Sequence, residues 1–275
     1  MLLSRWWYYL TSIPTLMLGV RNWPTMLACF LHLPFARPFI LELRNGLRFW
    51  VRTPMDIWII KEVCLDHQYE RAGTEFQDGW TVLDVGAGLG EFAVTVARKN
   101  PNGAVYAYEP FAPSLSLLRD NLGLNHVTNV QAFPCAVAAE AGATHMQLAS
   151  EAVAHSIVAT AGASTQDAEE VQAVTLDQIW ADLQLSRCDY LKMDCEGAEF
   201  PVFLKHPPSV LQRIDRLCLE YHDNLTPWSH RDLVRFFQEQ GFRVRLTPCP
   251  AHAHLGLLYA ERGTRPEGSS QTPAR

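Results

Sequence analysis

The chain has 275 residues, and because 48% of them are hydrophobic it can bury a full core, which excludes a wholly disordered protein. Its net charge of −6 is distributed unevenly along the sequence. Residues 1–60 carry +4 and hold five of the eight tryptophans, whereas residues 61–275 carry −10. The acidic part argues against general nucleic-acid binding, which needs a basic surface.

Two uncharged stretches, residues 6–20 and 22–36, dominate the beginning of the chain, and each has 15 residues. That is shorter than the ~18–20 residues of a bilayer-spanning helix, and prolines interrupt both. No good cleavage site follows them, so a signal peptide is not predicted. Two interpretations remain for residues 1–38: short helices packed on the main domain, which we favour, or a peripheral membrane-surface element, since Trp, Tyr and Arg favour the headgroup layer.

The elements that follow begin with a hairpin over residues 40–52, which alternate in hydrophobicity around Asn45-Gly46. Residues 55–72 are predicted to be a helix. Short apolar strands are then predicted at residues 81–85, 104–109, 130–137, 190–194, 216–221, 242–246 and 255–259. Helices are predicted at residues 91–99, 113–122, 175–183, 198–205 and 231–240.

This alternation of strands and helices predicts an α/β fold with a doubly wound, mainly parallel sheet. The last two strands have no helix between them, so one of them should be antiparallel. Residues 138–170 are rich in Ala, Ser and Thr and are predicted to be an inserted loop or hairpin. We therefore expect a helical and hairpin extension or cap at 1–75, a main domain at 76–262 and a disordered tail at 263–275.

The strongest signal for chemistry is residues 82–91, VLDVGAGLGE, which predict a strand, a glycine-rich turn and a helix start. Glycines let a ligand approach the backbone, and the helix N-terminus then faces that ligand. The pattern is G-x-G-x-G, not the G-x-G-x-x-G of dinucleotide-binding proteins. The preceding Asp84 would repel a pyrophosphate but suits an ammonium group, such as that of S-adenosylmethionine. The predicted cofactor-binding residues of this segment are Asp84, Gly86, Ala87, Gly88 and Gly90.

An acid also ends the second predicted strand of this series. Glu109 lies 19 residues after Gly90, where a carboxylate can accept both hydroxyls of a ribose. Phe111 follows and could lie over an adenine, or belong to the core.

Residues 189–199, DYLKMDCEGAE, form a third group. Asp194 and Glu196 cluster where a strand ends, and ligands of open α/β sheets bind at the carboxyl ends of strands. Glu199 falls in the first turn of the next helix, where the helix dipole favours an acid in any case. Lys192 lies on a strand that should be buried and is expected to pair with a carboxylate.

Histidines supply the remaining candidates for proton transfer. His222 ends the next strand, which should lie beside the strand of Asp194, and it could act as a general base or be structural. His155, in the inserted segment, is a weaker candidate.

Together with residues 175–177, these segments resemble the FkbM family of class I S-adenosylmethionine-dependent methyltransferases. The family's K-x-D-x-E-G-x-E signature corresponds here to Lys192, Asp194, Glu196, Gly197 and Glu199. The resemblance covers about residues 45–250. It implies a Rossmann-like, seven-stranded sheet with an antiparallel final strand. It also implies O-methylation, often of sugar hydroxyls in natural products, polysaccharides or glycolipids.

The resemblance also implies roles for individual residues. The glycine segment with Asp84 would hold the methionine end of the cofactor and Glu109 the ribose, while Asp194 would face the sulfonium and the acceptor. Near the adenine, many class I enzymes place a polar side chain at the end of the third strand. Here only Cys135 or backbone groups, such as those of Ala136, could serve.

The expected reaction is an in-line displacement on the S-methyl carbon by an acceptor oxygen. Either Asp194, Glu196 or His222 takes the hydroxyl proton, or Asp194 and Glu196 hold a divalent ion such as Mg²⁺ that lowers the pKa of the hydroxyl. The alternatives are a noncatalytic S-adenosylmethionine-binding module, a nicotinamide-dependent oxidoreductase and, on the evidence of residues 1–38 alone, a membrane-associated scaffold.

We expect the acceptor to be a small molecule, a glycan or a glycolipid. A nucleic-acid partner is not expected. The seven widely spaced cysteines form no metal-ligand pattern, and a disulfide framework is not expected in a chain of this length. The predicted location is therefore the reducing cytoplasm, with or without peripheral contact at the membrane surface. The sequence does not predict an oligomeric state.

Overall fold

The structure is a computed structural model that describes residues 2–147 and 168–263. Its strands, in chain order, are β1 (Phe39–Glu42), β2 (Arg48–Val51), β3 (Thr81–Val85), β4 (Ala104–Tyr108), β5 (Val130–Phe133), β6 (Ala136–Val137), β7 (Gly142–Gln147), β8 (Ala168–Val174), β9 (Tyr190–Met193), β10 (Arg216–His222), β11 (Phe242–Pro248) and β12 (Leu255–Arg262).

The α-helices are α1 (Leu2–Gly19), α2 (Trp23–Phe30), α3 (Pro54–Ile60), α4 (Gln68–Ala72), α5 (Glu91–Lys99), α6 (Ala112–Leu124), α7 (Leu176–Asp182) and α8 (His230–Glu239). Two π-helical turns, Lys61–Leu65 and Pro201–Lys205, and a 3₁₀ turn, Ser209–Arg213, complete the helical elements of the described residues.

The central sheet has seven strands in the order β11-β12-β10-β9-β3-β4-β5. The pairs β3–β4, β4–β5, β3–β9 and β9–β10 are parallel, whereas β12 lies antiparallel between β10 and β11. This confirms the predicted doubly wound α/β fold with an antiparallel final strand. Because β3, β4, β9 and β10 are parallel, their carboxyl ends share one edge of the sheet, where the predicted site residues converge.

Hydrophobic clusters cover both faces of the sheet. On one face, residues of α1, the β1–β2 hairpin, α5 and α6 form a single buried cluster, which includes Leu16, Phe49 and Phe92. On the other face, a second cluster includes Trp180, Phe203 and Phe237. The N-terminal extension therefore shares a core with the sheet.

The extension is anchored through a polar cluster under α1. The Lys61 ammonium is buried, donates to Ser12 Oγ at 2.7 Å and lies 2.6 Å from an Asp66 carboxylate oxygen. Tyr8 donates its hydroxyl hydrogen bond to Glu62, and its ring packs edge-on against Trp58. The predicted helices are thus present and packed on the domain. No helix of the described residues is long and apolar enough to cross a membrane.

The predicted helix at residues 55–72 is wrong in its middle. It begins as predicted, because Thr53 and Asp56 form a capping box at the start of α3. It then passes into the π-helical turn and breaks at His67, whose φ is +54°. The ion pair between Lys61 and Asp66 accompanies this break, and sequence periodicity carries no signal for it.

The predicted strand at residues 130–137 is also divided. β5 ends at Phe133, and Pro134, which lacks a backbone N–H, follows it. Beyond it, β6 joins a separate small sheet in the order β6-β8-β7. β7 and β8 form the hairpin expected in the insertion. Between them, residues 148–167 with His155 lie outside the described residues, as does the predicted tail from residue 264 onward.

A first prediction concerns Asn121, a buried residue of α6 that joins the hairpin to the glycine-rich turn. Its amide nitrogen donates to the Leu89 carbonyl at 2.8 Å, and its amide oxygen accepts from the Trp50 N–H at 2.7 Å. Asn121→Leu leaves both backbone groups unsatisfied, so we expect the free energy of unfolding to fall by about 2–4 kcal/mol.

Urea denaturation measures this change. Arg119→Ala, at an exposed position of the same helix, is the control and should change stability by less than about 0.5 kcal/mol. Equal losses in the two variants would show that the Asn121 hydrogen bonds carry no special weight.

Candidate functional site

The glycine-rich turn after β3 approaches the end of β9 so closely that a side chain cannot fit. Gly86 has a φ of +72°, and a Cβ atom built there would lie 1.8 Å from the Asp194 carbonyl oxygen. The N–H groups of Gly86 and Ala87 both donate to the Tyr108 carbonyl at 3.0 Å. The turn is thereby held between the ends of three neighbouring strands, β9, β3 and β4.

A buried ion pair lies directly beneath this turn. The Lys192 ammonium is 3.2 Å from Asp84 Oδ1 and donates to the Gly86 carbonyl at 2.6 Å. Both side chains are buried. Burial lowers the pKa of Lys192, but the carboxylates of Asp84, Asp194 and Glu91 more than offset it, so the net pKa is raised and the lysine stays charged.

A cavity of about 750 Å³, including its mouth, opens at this edge of the sheet. Six of the predicted site residues line it, namely Gly86, Gly88, Glu109, Ala136, Asp194 and Glu196. Eight further lining residues were not among the predicted site residues, namely Ile59, Leu89, Glu91, Tyr108, Pro110, Val137, Met146 and Cys195.

The other predicted site residues lie around this cavity without lining it. Asp84 is buried against Lys192, and Ala87 is buried within the turn. Gly90 caps α5, and Phe111 packs against a small cluster that includes Met146. The direct contact predicted between Asp84 and the methionine ammonium therefore stays a prediction, and the position of Asp84 argues for an indirect role through the turn.

Glu109 joins the glycine-rich turn to the loop after β4. Its carboxylate accepts hydrogen bonds from the N–H groups of Gly88 at 2.8 Å and Phe111 at 2.9 Å. Burial raises the pKa of Glu109 to about 7, although these two hydrogen bonds oppose the rise. Each oxygen keeps a lone pair that a ribose hydroxyl could use.

Glu91, the first residue of α5, is a site residue that the sequence analysis missed. It is buried and lines the cavity, and its Oε2 atom has no hydrogen-bond partner among the described residues. Burial raises the pKa of Glu91 to about 8, although Lys192 lowers it. An unpartnered carboxylate oxygen in a cavity wall is a ready site for a cation. The sequence signal that could have identified Glu91 is its position directly after Gly90, the last glycine of the turn.

The turn after β9 gathers the other acids. Glu196 has a φ of +51° and Gly197 one of +98°, so the backbone is left-handed at both. The buried Glu199 carboxylate accepts from the N–H groups of Cys195 at 2.6 Å and Gly197 at 2.9 Å. Glu199 therefore holds the turn that presents Asp194 and Glu196 to the cavity.

His222, at the end of β10, lies behind these carboxylates. Its Nε2 atom is 3.3 Å from Glu196 Oε2, and its Nδ1 atom is 3.8 Å from Glu199 Oε1. Burial lowers the pKa of His222, but the neighbouring carboxylates raise it further, so the net pKa is raised. Burial also raises the pKa of Glu196 to about 7, although His222 lowers it. Glu196 and His222 can thus share a proton near neutral pH.

A metal ion could also be held here, by a different set of ligands from the predicted pair. Asp194, Glu199 and His222 each offer one ligand atom, and these atoms lie within 4.8 Å of one another. Two carboxylates and an imidazole suit a divalent ion. The metal remains a hypothesis, and its ligands would include Glu199 instead of Glu196.

Comparison with known families identifies this arrangement. The family model "Methyltransferase FkbM domain" matches residues 84–244, which is more than half of the chain and spans the cavity from the glycine-rich turn to His222. The chain belongs to the FkbM methyltransferase family. It is therefore an S-adenosylmethionine-dependent methyltransferase, as predicted, and the nicotinamide-dependent alternative is set aside.

Among curated relatives, 31-O-demethyl-FK506 methyltransferase FkbM of Streptomyces tacrolimicus is 25% identical over 71% of this chain and 85% of its own length. Methyltransferase 1 of Beauveria bassiana is 25% identical over 74% of this chain and 89% of its own length. AMB antimetabolite synthetase AmbE of Pseudomonas aeruginosa is 27% identical over 60% of this chain. The chain covers only 9% of that synthetase.

Among solved structures, methyltransferase FkbM of Methylobacillus flagellatus is similar to the chain with a TM-score of 0.47 and 14% identity. The similarity covers 87% of this chain and 59% of that one.

A second prediction tests the buried ion pair of this FkbM-family protein. Lys192→Met leaves the Asp84 carboxylate buried without its cation, so we expect the free energy of unfolding to fall by about 3–5 kcal/mol. In Lys192→Met/Asp84→Asn the unpaired charge is absent, and part of the loss should be recovered.

Chemical denaturation of the two variants and the wild type measures the coupling. If the double variant is no more stable than Lys192→Met, the pairing of these two residues does not hold the turn.

Proposed function

We propose that this methyltransferase acts on a hydroxyl oxygen, and that the acceptor is a sugar hydroxyl of a glycan, a glycolipid or a natural product. The observation that carries the proposal is the pairing of Glu196 with His222 beside Asp194, at the wall of the cofactor cavity. A sugar hydroxyl is a weak acid, so methyl transfer to it needs a nearby proton acceptor. The name of the Streptomyces tacrolimicus relative likewise specifies an O-demethyl substrate.

The cavity wall offers a place for each charged part of S-adenosylmethionine. Glu109 would accept hydrogen bonds from the ribose hydroxyls, and Gly86 and Gly88 leave room for the backbone to meet the methionine part. Glu91, whose free carboxylate oxygen is buried in the wall, would bind the ammonium group. Asp194 would face the sulfonium and the acceptor.

In the proposed mechanism, S-adenosylmethionine supplies the methyl group, and the protein aligns the acceptor oxygen and removes its proton. Glu196 lines the cavity and is the group that meets the hydroxyl, so we assign it as the general base. His222 lies behind it and holds the carboxylate in position through its Nε2 atom. Alignment of the oxygen with the S-methyl carbon supplies the rest of the rate enhancement.

We also propose that the chain consists of two parts that meet after residue 75. Residues 1–75 would cover the cavity, to which α3 already contributes the side chain of Ile59, and residues 76–262 would form the methyltransferase domain. All seven cysteines are free thiols, which supports the proposed cytoplasmic location.

A third prediction concerns pH. The pKa of Glu196 is raised to about 7, so the carboxylate is protonated below pH ~7 and ionised above it. A base must be ionised to accept a proton, so kcat/KM should rise with pH by about tenfold per unit up to pH ~7 and then level off. Glu196→Gln should lower kcat by about 100-fold or more.

Steady-state methyl transfer across the pH range measures both effects. Glu140→Gln, on an exposed acid that pairs with Lys205, is the matched control and should match the wild type. A flat pH profile, or an active Glu196→Gln variant, would exclude Glu196 as the base. Activity lost in chelator and restored by Mg²⁺ would select the metal hypothesis instead.

A fourth prediction concerns cofactor binding. The pKa of Glu91 is raised to about 8, so at pH 7 the empty site holds a proton there. A cationic ligand stabilises the ionised carboxylate, so binding of S-adenosylmethionine should release more protons from the wild type than from Glu91→Gln. The variant should also bind about tenfold more weakly, because a charge-assisted hydrogen bond is lost.

Calorimetric titration in buffers of different ionisation enthalpy measures the proton count and the affinity together. Glu239→Gln, at an exposed position of α8, serves as the control and should behave as the wild type. Equal proton release and affinity in the wild type and Glu91→Gln would remove Glu91 from the site.

The proposed function itself is tested with S-adenosylmethionine carrying a labelled methyl group, added to fractionated host lysate. The wild type should transfer label to glycans, glycolipids or small hydroxylated products, and Asp194→Asn should not. Label that appears only in protein or nucleic acid would contradict the proposal.

A further inference from the structure

Exposed apolar side chains are concentrated in the N-terminal extension. Among the described residues, large hydrophobic side chains with substantial exposure occur at seven positions, and only Leu246 lies outside residues 10–33. The others form what we term the apolar head surface, namely Leu10, Ile13, Leu18, Leu27, Leu31 and Leu33. Singly scattered apolar residues need no explanation, but a group on one small region indicates an interaction surface.

Helix α1 shows why this surface is unusual. Its inner face, with Ser12 and Leu16, is buried against the domain. Its outer face carries Leu10, Ile13 and Leu18, which are 57%, 55% and 75% exposed. A surface helix in water normally presents polar residues on its outer face, whereas the outer face of α1 presents these three apolar residues.

Within residues 1–41, which contain the apolar head surface, every charge is positive, whereas the acids Glu62 and Asp66 lie beneath α1. Residues 1–41 contain no acid. Two exposed arginines flank the end of α1: Arg21 follows it, and Arg44 is held there by its N–H bond to the Gly19 carbonyl at 2.8 Å. The rest of the chain, from residue 61, carries −10. An anionic surface would therefore attract residues 1–60 and repel the acidic remainder of the chain.

We propose that the apolar head surface rests on an anionic lipid bilayer and presents the cavity to a lipid-linked acceptor. Exposed leucines beside arginines supply the two contributions that interfacial binding combines, apolar insertion and attraction to anionic headgroups. A second copy of the chain is less suited to this surface, because self-association would bring the arginines of both copies together. The choice of acceptor rests on the proposed function, whereas the membrane contact does not.

The apolar head surface is only one helix away from the cavity. Helix α3 contributes Ile59 to the cavity wall, and the neighbouring Trp58 packs edge-on against Tyr8 of α1 with ring centroids 5.7 Å apart. Docking of α1 on a membrane would therefore place the cavity near the headgroup layer, where the sugar of a glycolipid lies.

The test is co-sedimentation of the full chain with vesicles of phosphatidylcholine alone or mixed with phosphatidylglycerol. The wild type should bind the mixed vesicles at least about tenfold more strongly than the neutral ones, and salt should weaken this binding. The variant Leu10→Glu/Ile13→Glu/Leu18→Glu should lose at least about tenfold in binding. Leu246→Glu, on the exposed edge strand β11, is the matched control and should bind as the wild type.

Sedimentation velocity and S-adenosylmethionine affinity are measured for every variant without vesicles, and unchanged affinity shows that each variant is folded. Absence of wild-type binding to the mixed vesicles, or equal losses in the triple variant and Leu246→Glu, would overturn the proposal. The proposal would also be overturned if the wild type formed a dimer that the triple substitution dissociates and did not bind vesicles. Failure of methyl transfer while vesicle binding persists would instead count against the proposed function.

Discussion

The site depends on the burial of the Lys192 ammonium beneath the glycine-rich turn. This cation neutralises Asp84, binds the Gly86 carbonyl and thereby fixes the turn against the end of β9. Gly86 tolerates the resulting contact with the Asp194 carbonyl only because it has no side chain. One charge in the core thus joins the two segments, before α5 and after β9, that line the cofactor cavity.

The positive charge of Lys192 does not neutralise all of the carboxylates around it. Glu91, Glu109 and Glu196 line the cavity, and burial raises the pKa of each to about 7 or 8. A cavity with such an excess of carboxylates is poised to accept positive charge. S-adenosylmethionine, with its sulfonium and ammonium groups, supplies that charge and would in turn keep the carboxylates ionised. The electrostatics of the cavity therefore agree with the cofactor of the family.

Much of this could be predicted from the sequence, because glycines and acids at the ends of buried strands meet at one edge of a parallel sheet. Gly86, Glu109, Asp194 and Glu196 line the cavity for that reason. Other features depend on distant contacts that periodicity does not record. The helix at residues 55–72 breaks where Lys61 pairs with Asp66.

The roles of individual acids were harder to foresee than their positions. The sequence placed Asp84 in contact with the ligand, but the pairing with Lys192, which lies 108 residues further on, buries it. Glu91 was not predicted, and its position alone is weak evidence, since an acid at a helix N-terminus is common for electrostatic reasons alone. Only its burial and its unpartnered oxygen separate it from such acids.

A crystal structure with the product S-adenosylhomocysteine would show directly whether this cavity holds the cofactor through its acids. We predict that the ribose hydroxyls lie within hydrogen-bond distance of Glu109 and that the amino group lies at Glu91. We also predict that the sulfur faces Asp194 and Glu196. A cofactor bound elsewhere, or a ribose directed away from Glu109, would contradict these predictions.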